Sequence, residues 1–155
     1  MSAADELWEK LEKFGFDREE KPDGFLPQLP ADITSLDDRQ LMALYGEYVS
    51  WTAYAAMRLV EARANVRAAK QNLDYATARA ALAASTEKTV AGRKAAAGAD
   101  PQVQEDEKRH LDAVALAEGL EMVHKNSEAR ANFCSRDLSR RQNSASDSRY
   151  QKWGV

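Results

Sequence analysis

Apolar and small residues recur at alternating spacings of four and three over the middle of the chain. This is the heptad pattern, with a period of 3.5, of helices that pack along their length. Its members are Leu41, Tyr45, Tyr48, Thr52, Ala55, Leu59, Ala62, Val66, Ala69, Leu73, Ala76, Ala80 and Ala83. The pattern predicts a helix over residues 36–84, about 70 Å long. Ser35 is its expected N-cap, with Asp38 as the capping-box partner.

A second and more polar series predicts another long helix after residue 100. Asp100 followed by Pro101 is a start signal, because aspartate caps a helix and proline suits its first position. The series consists of Val103, His110, Ala113, Ala117, Leu120, His124, Ser127, Ala131, Cys134 and Leu138. Between the two series, residues 85–99 contain two glycines and predict a connector.

The two ends of the chain lack these repeats. Residues 4–14 predict a short helix whose apolar face carries Leu7, Trp8, Leu11 and Phe14. Residues 15–34 contain three prolines and predict an extended strap that lays apolar side chains on another surface. Those side chains are Phe25, Leu26 and Leu29. Residues 139–155 form a basic, serine-rich tail that we expect to be disordered in isolation.

These elements predict an all-α fold. Its main part is a long antiparallel helical hairpin, similar to a coiled coil, over residues 35–138 with the connector near 85–100. The short helix and the strap precede it in residues 1–34. From Ala62 on the first series is mostly alanine, and each alanine in place of leucine forgoes about 2 kcal/mol of burial. Because two such helices would be marginal alone, we expect a homo-oligomer.

Several classes of protein are disfavoured by composition. No apolar stretch is long enough to span a membrane, and the acidic N-terminus has no hydrophobic region of a signal peptide. Cys134 is the single cysteine, so no intrachain disulfide can form and a reducing compartment such as the cytoplasm is expected.

Charge is segregated along the chain. Residues 1–50 carry 12 acidic and 5 basic side chains, whereas residues 51–95 carry 3 acidic and 8 basic ones. Residues 96–124 have a net charge of −5, and residues 125–155 a net charge of +4. Either the acidic and basic stretches neutralise each other in the folded chain, or the basic stretches contact a polyanion. The candidate contacts to DNA phosphates are Lys88, Arg93, Lys94, Arg58, Arg63, Arg67, Arg140 and Arg141.

Two Glu-x-x-His pairs on the second long helix raise the possibility of a metal site. Glu107 with His110, and Glu121 with His124, have the spacing that di-iron helical bundles use, although such a site would require two copies of the helix. The simpler explanation, which we favour, is that two polar heptads repeat a local pattern by chance in a helix rich in acidic residues. No nucleophile lies within reach of a base and no glycine-rich phosphate loop is present. We therefore expect neither enzyme activity nor a cofactor.

Four short motifs, in order along the chain, resemble the UvsY-type recombination mediators of tailed phages. They are Tyr48-Val49-Ser50-Trp51, Leu73-Asp74-Tyr75, Lys88-Thr89-Val90 and Phe133-Cys134-Ser135. The resemblance covers roughly residues 41–138. It implies a small, helical, ring-forming protein that binds single-stranded DNA. Such a mediator helps to load a RecA-like recombinase onto strands coated by single-strand-binding protein.

Our leading hypothesis is a non-enzymatic phage recombination mediator or adaptor. It would oligomerise and bind single-stranded DNA in the host cell cytoplasm, with no membrane partner. An alternative is a virion or assembly protein that uses the same hairpin for structural packing. A further alternative is a metal-binding helical oligomer. A heptad series is compatible with all three.

Overall fold

The computed structural model describes residues 2–87 and 89–153, with side chains as far as Ala145. Its elements are α1 (Ala3–Glu12), a 3₁₀ turn (Ile33–Ser35), α2 (Asp38–Ala83), α3 (Val90–Gly98) and α4 (Pro101–Trp153). No strand occurs in these residues, so the prediction of an all-α fold with a long packed helix pair is confirmed. None of the described helices is both long enough and apolar enough to cross a membrane.

The chain divides into two compact units, and each unit contains part of α2 and part of α4. The first unit consists of Met1–Arg18 and Met57–Glu121. The second consists of Glu19–Ala56 and Met122–Val155.

The second unit has a core in which Leu41 and Tyr48 of α2 pack against apolar residues of α4. Its buried members are Leu41, Tyr48, Ala131, Cys134 and Leu138. Leu26 and Leu29 of the strap pack on this cluster, as expected. The strap is also held by polar contacts, because the Pro27 carbonyl accepts hydrogen bonds from the Tyr48 hydroxyl (3.1 Å) and from Arg130 (3.2 Å).

The expectation that Phe25 joins this core is wrong, since its side chain is 92% exposed. Phe25 lies in a bend directly after Gly24, whose φ is 74°, and its ring faces solvent while Leu26 packs on the cluster.

The first unit has a core of small side chains. Leu59, Ala62 and Ala76 of α2 are buried, as are Ala97 of α3 and Val103 of α4. The buried apolar residues of both long helices are heptad positions, although Ala83 at the end of the first series is exposed.

In the same unit, α1 is fixed on α2 by one buried hydrogen bond. The Trp8 indole N–H donates to Glu61 at 2.8 Å, and Arg58 donates to the second oxygen of that carboxylate at 2.6 Å. Phe14, expected on the apolar face of α1, is instead 79% exposed. The helix ends at Glu12, so Phe14 lies in the turn that follows, which Gly15 completes with a φ of 85°, and it is not on the helical face that meets α2.

The start of α2 differs from the expected capping box. Asp37 takes the cap position expected of Ser35, and Gln40 takes the place of Asp38 as the reciprocal partner. The Asp37 amide donates to the Gln40 side chain (2.9 Å), and the Gln40 amide donates to the Asp37 carboxylate (2.7 Å). Ser35 belongs to the 3₁₀ turn, where its hydroxyl donates to the Asp32 carbonyl.

The start of α4 is confirmed at Pro101, where the Asp100 carboxylate accepts from the amides of Gln102 and Val103. Within the connector, α3 begins at Val90, and the Thr89 hydroxyl caps it by accepting from the Gly92 amide at 3.0 Å.

In the whole chain, α4 continues through the tail to Trp153, whereas disorder of the tail in isolation stays a prediction. Extending an existing helix adds one hydrogen bond per residue without a new nucleation cost, and no proline or glycine interrupts residues 139–153.

Two adjacent residues of α2 test the core of the second unit. Leu41 is fully buried and Met42 is half exposed. Leu41→Ala should lower the free energy of unfolding by about 3 kcal/mol, because it removes buried methyl groups and leaves a cavity. Met42→Ala should change it by less than about 0.5 kcal/mol. Urea unfolding followed by circular dichroism measures both, and equal effects would contradict the packing described.

Candidate nucleic-acid interface

A cleft of about 670 Å³ lies in the first unit between the C-terminal part of α2 and the start of α4. One wall is formed by Asn72, Tyr75 and Arg79 of α2. The other includes Gln102, Asp106 and Arg109 of α4. The alanines at 76, 80 and 83 form its base, and their small side chains leave the space open.

Tyr75 is the most prominent group of the α2 wall. Its side chain is 73% exposed, whereas the heptad residues Leu73 and Ala76 on either side of it are turned toward the interior. Arg79 lies one helical turn further on and Asn72 one turn before, so the three side chains share a face. Arg79 makes no ion pair within the part of the chain that the structure describes. The wall therefore combines an open aromatic ring with an uncompensated positive charge.

The α4 wall is internally satisfied. Asp106 is buried and accepts a hydrogen bond from the Gln102 side chain at 3.0 Å. Arg109 pairs with Glu105 at 3.2 Å and with Asp106 at 3.5 Å. Its charge is thereby neutralised, and Arg79 is left as the cleft arginine without an ion-pair partner among the described residues, in a lining that also contains Asp100.

An exposed ring beside an unpaired guanidinium suits a single nucleic-acid strand. A base can stack on tyrosine whatever its identity, and arginine contacts the adjacent phosphate. Each stacked base contributes roughly 1–3 kcal/mol. Duplex DNA offers no unstacked base, so the geometry favours single strands.

The predicted DNA contacts of the connector lie in the same unit. Arg93 and Lys94 are exposed on α3, and neither makes an ion pair among the described residues. Lys88 lies outside the residues that the structure describes. Two of the three connector cations are thus available to an external anion.

The predicted contacts on α2 divide into paired and unpaired residues. Arg58 is paired with Glu61 at 2.6 Å, and Arg63 with Glu121 at 3.1 Å. The charges of these two arginines are therefore neutralised by carboxylates of the same chain, which was the alternative to contact with a polyanion. Arg67 has no ion-pair partner in the described ranges, and it lines a cleft beside α1.

In the second unit, the two arginines of the tail differ from each other. Arg140 is 71% exposed and pairs with Asp137. Arg141 is 21% exposed and donates to the carbonyls of Leu36 (2.7 Å) and Ile33 (3.0 Å) and to the carboxylate of Asp137 (2.8 Å). A hydrogen bond to Asp38, together with those to Asp137, raises the pKa of the Arg141 guanidinium above its ordinary value. Arg141 thus joins the strap to both long helices.

The Glu-x-x-His residues do not converge in the described chain. Glu121 accepts from Arg63, and His110 occupies its heptad position with a buried Nδ1 that has no hydrogen-bond partner in the described part. No three histidine, cysteine, aspartate or glutamate side chains come together there as metal ligands do.

Sequence reasoning did not propose Tyr75 or Arg79 as site residues. The usable signal was an aromatic residue outside the heptad series with an arginine four residues later. No family model, curated protein or solved structure matches the chain.

Lysine substitutions test the structural role of Arg141. Arg141→Lys keeps the charge but loses the planar set of donors that spans the strap carbonyls and Asp137, so it should lower the melting temperature by several degrees. Arg140→Lys should leave it nearly unchanged, since that side chain is largely in solvent. Thermal unfolding of both variants provides the comparison. A melting temperature that does not distinguish them would contradict this role.

Metal removal tests the Glu-x-x-His pairs. If they are ordinary polar helix residues, a chelator should leave the melting temperature unchanged, and elemental analysis should find no stoichiometric iron, manganese or zinc. Stoichiometric metal would instead favour the metal-binding oligomer.

Proposed function

We propose that this protein is a non-enzymatic, single-stranded-DNA-binding recombination mediator of phage type. The observation that carries the proposal is the cleft in which exposed Tyr75 stands beside unpaired Arg79. Arg93 and Lys94 of α3 add two further unpaired positive charges in the same unit. Together they provide the stacking surface and the phosphate contacts that a strand requires.

The antiparallel hairpin belongs to this proposal, and contacts within each unit support it. In the first unit, Arg63 of α2 contacts Glu121 of α4, while Arg79 shares a cleft with the earlier α4 residue Asp106. In the second unit, Tyr48 and Leu41 pack in one cluster with Cys134 and Leu138. The long helices then present one strand-binding surface per copy.

Assembly into a homo-oligomer is the next part of the proposal. The packed face of the first unit is largely alanine, and a face of small side chains yields little burial energy per residue. Several copies together would place several clefts along one strand. Their combined affinity would exceed that of a single cleft because later contacts become intramolecular.

The mediator role follows from the resemblance rather than from the cleft. Stacking contacts that do not depend on the identity of the base suit a protein that binds DNA strands of any sequence. In the host cytoplasm, its protein partners would be a RecA-like recombinase and a single-strand-binding protein. No chemical step is assigned to the mediator itself.

A structural role in a virion or in its assembly is the second candidate. Large apolar side chains are exposed on α4, namely Leu111 and Leu116 in the first unit and Met122 and Phe133 in the second. Exposed apolar residues of this size often mark surfaces that pack against other chains. Absence of any salt-sensitive DNA binding would favour this candidate.

Salt dependence of oligonucleotide binding tests the phosphate contacts. Replacing Lys88, Arg93 and Lys94 by alanine should weaken binding uniformly across sequences and flatten the log–log salt slope by about 2, since each lost contact removes about 0.7. Fluorescence anisotropy with a labelled oligonucleotide between low and moderate salt gives the slope. An unchanged slope would show that the connector only turns the chain.

Tyr75 provides a separate test of stacking. Tyr75→Ala should weaken binding to a single strand by about tenfold at every salt concentration, in line with the loss of one stacked base, and should leave the salt slope as it was. Tyr75→Phe should bind like the parent because the ring is kept. Leu82→Ala is the matched control, since Leu82 is an exposed α2 residue that does not line the cleft.

Competition with duplex DNA completes the Tyr75 test. A duplex of the same sequence should compete poorly with the single strand for the parent protein. If Tyr75→Ala binds as the parent does, or if duplex competes equally, the cleft is not a stacking site.

A further inference from the structure

The acidic segment 14–25 contains three phenylalanines that do not join any core. Phe14, Phe16 and Phe25 are 79%, 61% and 92% exposed. Gly15 and Gly24, both with positive φ, form turns next to them. Exposed phenylalanines at this density are costly in water and call for a covering surface.

The backbone hydrogen-bonding groups and the acidic side chains of this segment are also available to a partner. From Asp17 to Leu26, no backbone–backbone hydrogen bond forms among the described residues. The acids of the segment are Asp17, Glu19, Glu20 and Asp23. Of its two basic residues, Arg18 is already bound to Asp5 at 3.2 Å and lies over the Trp8 ring. A fitting partner therefore offers positive charge around an apolar floor.

The first unit contains a cleft with these properties, of about 520 Å³, between α1 and α2. Leu7, Val60 and Ala64 contribute apolar lining, and Lys10 and Arg67 contribute positive charge. Neither Lys10 nor Arg67 makes an ion pair in the part of the chain that is described. Glu6 is the one acid among the lining residues.

We propose that the 14–25 segment of one copy occupies the α1–α2 cleft of a second copy. Within its own chain the phenylalanines are exposed, so they do not fill the cleft of that chain. The acids of the segment match Lys10 and Arg67, and its phenylalanines match the apolar lining. Nucleic acid is a poor ligand for the segment, since its carboxylates repel phosphate.

This contact joins two different surfaces, so it is head-to-tail. The growing assembly always keeps one unoccupied cleft and one unbound segment, so it continues until a ring closes or a filament forms. The inference rests on the homo-oligomer of the proposed function and names the surfaces that build it. Because its test contains no DNA, a failure here leaves the DNA-binding proposal unaffected.

Two complementary variants of the full chain test the contact. The segment variant carries Phe16→Ser and Phe25→Ser, and the cleft variant carries Lys10→Glu and Arg67→Glu. All four positions are exposed, so both variants should fold, which circular dichroism and the unfolding midpoint verify. Light scattering after size exclusion should give the parent a mass above two chains and each variant the mass of one chain. Leu82→Ser, outside both surfaces, should keep the parental mass.

Mixing the two variants is the decisive step. The segment variant still has a working cleft and the cleft variant a working segment, so the pair can form one contact and no more. The mixture should therefore reach two chains and stop there. A monomeric parent, parental mass in either variant, a mixture that stays monomeric, or one that regains the parental mass would each overturn the inference.

Discussion

Apolar residues at alternating spacings of four and three form a stripe along one face of a helix, and a second helix packed alongside buries such a stripe. α2 carries a stripe of this kind for most of its length. α4 packs alongside it in both units. In the second unit Leu41 and Tyr48 are covered by the smaller Cys134 and Ala131. In the first, where α2 offers alanines, α1 and α3 add Trp8 and Ala97 to the buried set. The short helices thus add buried side chains in the first unit, where the packed side chains of α2 are mostly small.

Polar contacts hold the remaining pieces in place, because few apolar residues are left for that task. A single tryptophan–glutamate hydrogen bond fixes α1, and Arg58 compensates the buried charge of Glu61. Arg130, Tyr48 and Arg141 bind carbonyls of the strap, in which residues 17–32 form no backbone–backbone hydrogen bond among the described residues. Such buried bonds contribute little net energy when made and cost more when broken. They therefore specify where each piece lies.

The sequence predicted the features that depend on local spacing. These features are the heptad faces of α2 and α4 and the start of α4 at Pro101, and all of them could be predicted from the sequence. Features that depend on competition between neighbours were not. Asp37 displaces Ser35 as cap because a 3₁₀ turn takes Ser35. A basic residue looks the same in sequence whether a carboxylate lies beside it or not, so Arg141 and Arg79 were indistinguishable before the fold was known.

Cys134 has a consequence for how copies of this chain can be joined. Its sulfur is fully buried, and desolvation, with a smaller contribution from the charge of Asp137, raises the pKa of the thiol. Only the thiolate exchanges with disulfides, so at neutral pH the sulfur is both inaccessible and protonated. A disulfide between folded copies therefore cannot form through Cys134 unless the helices around it open. Contacts between folded copies have to be non-covalent as far as this sulfur is concerned.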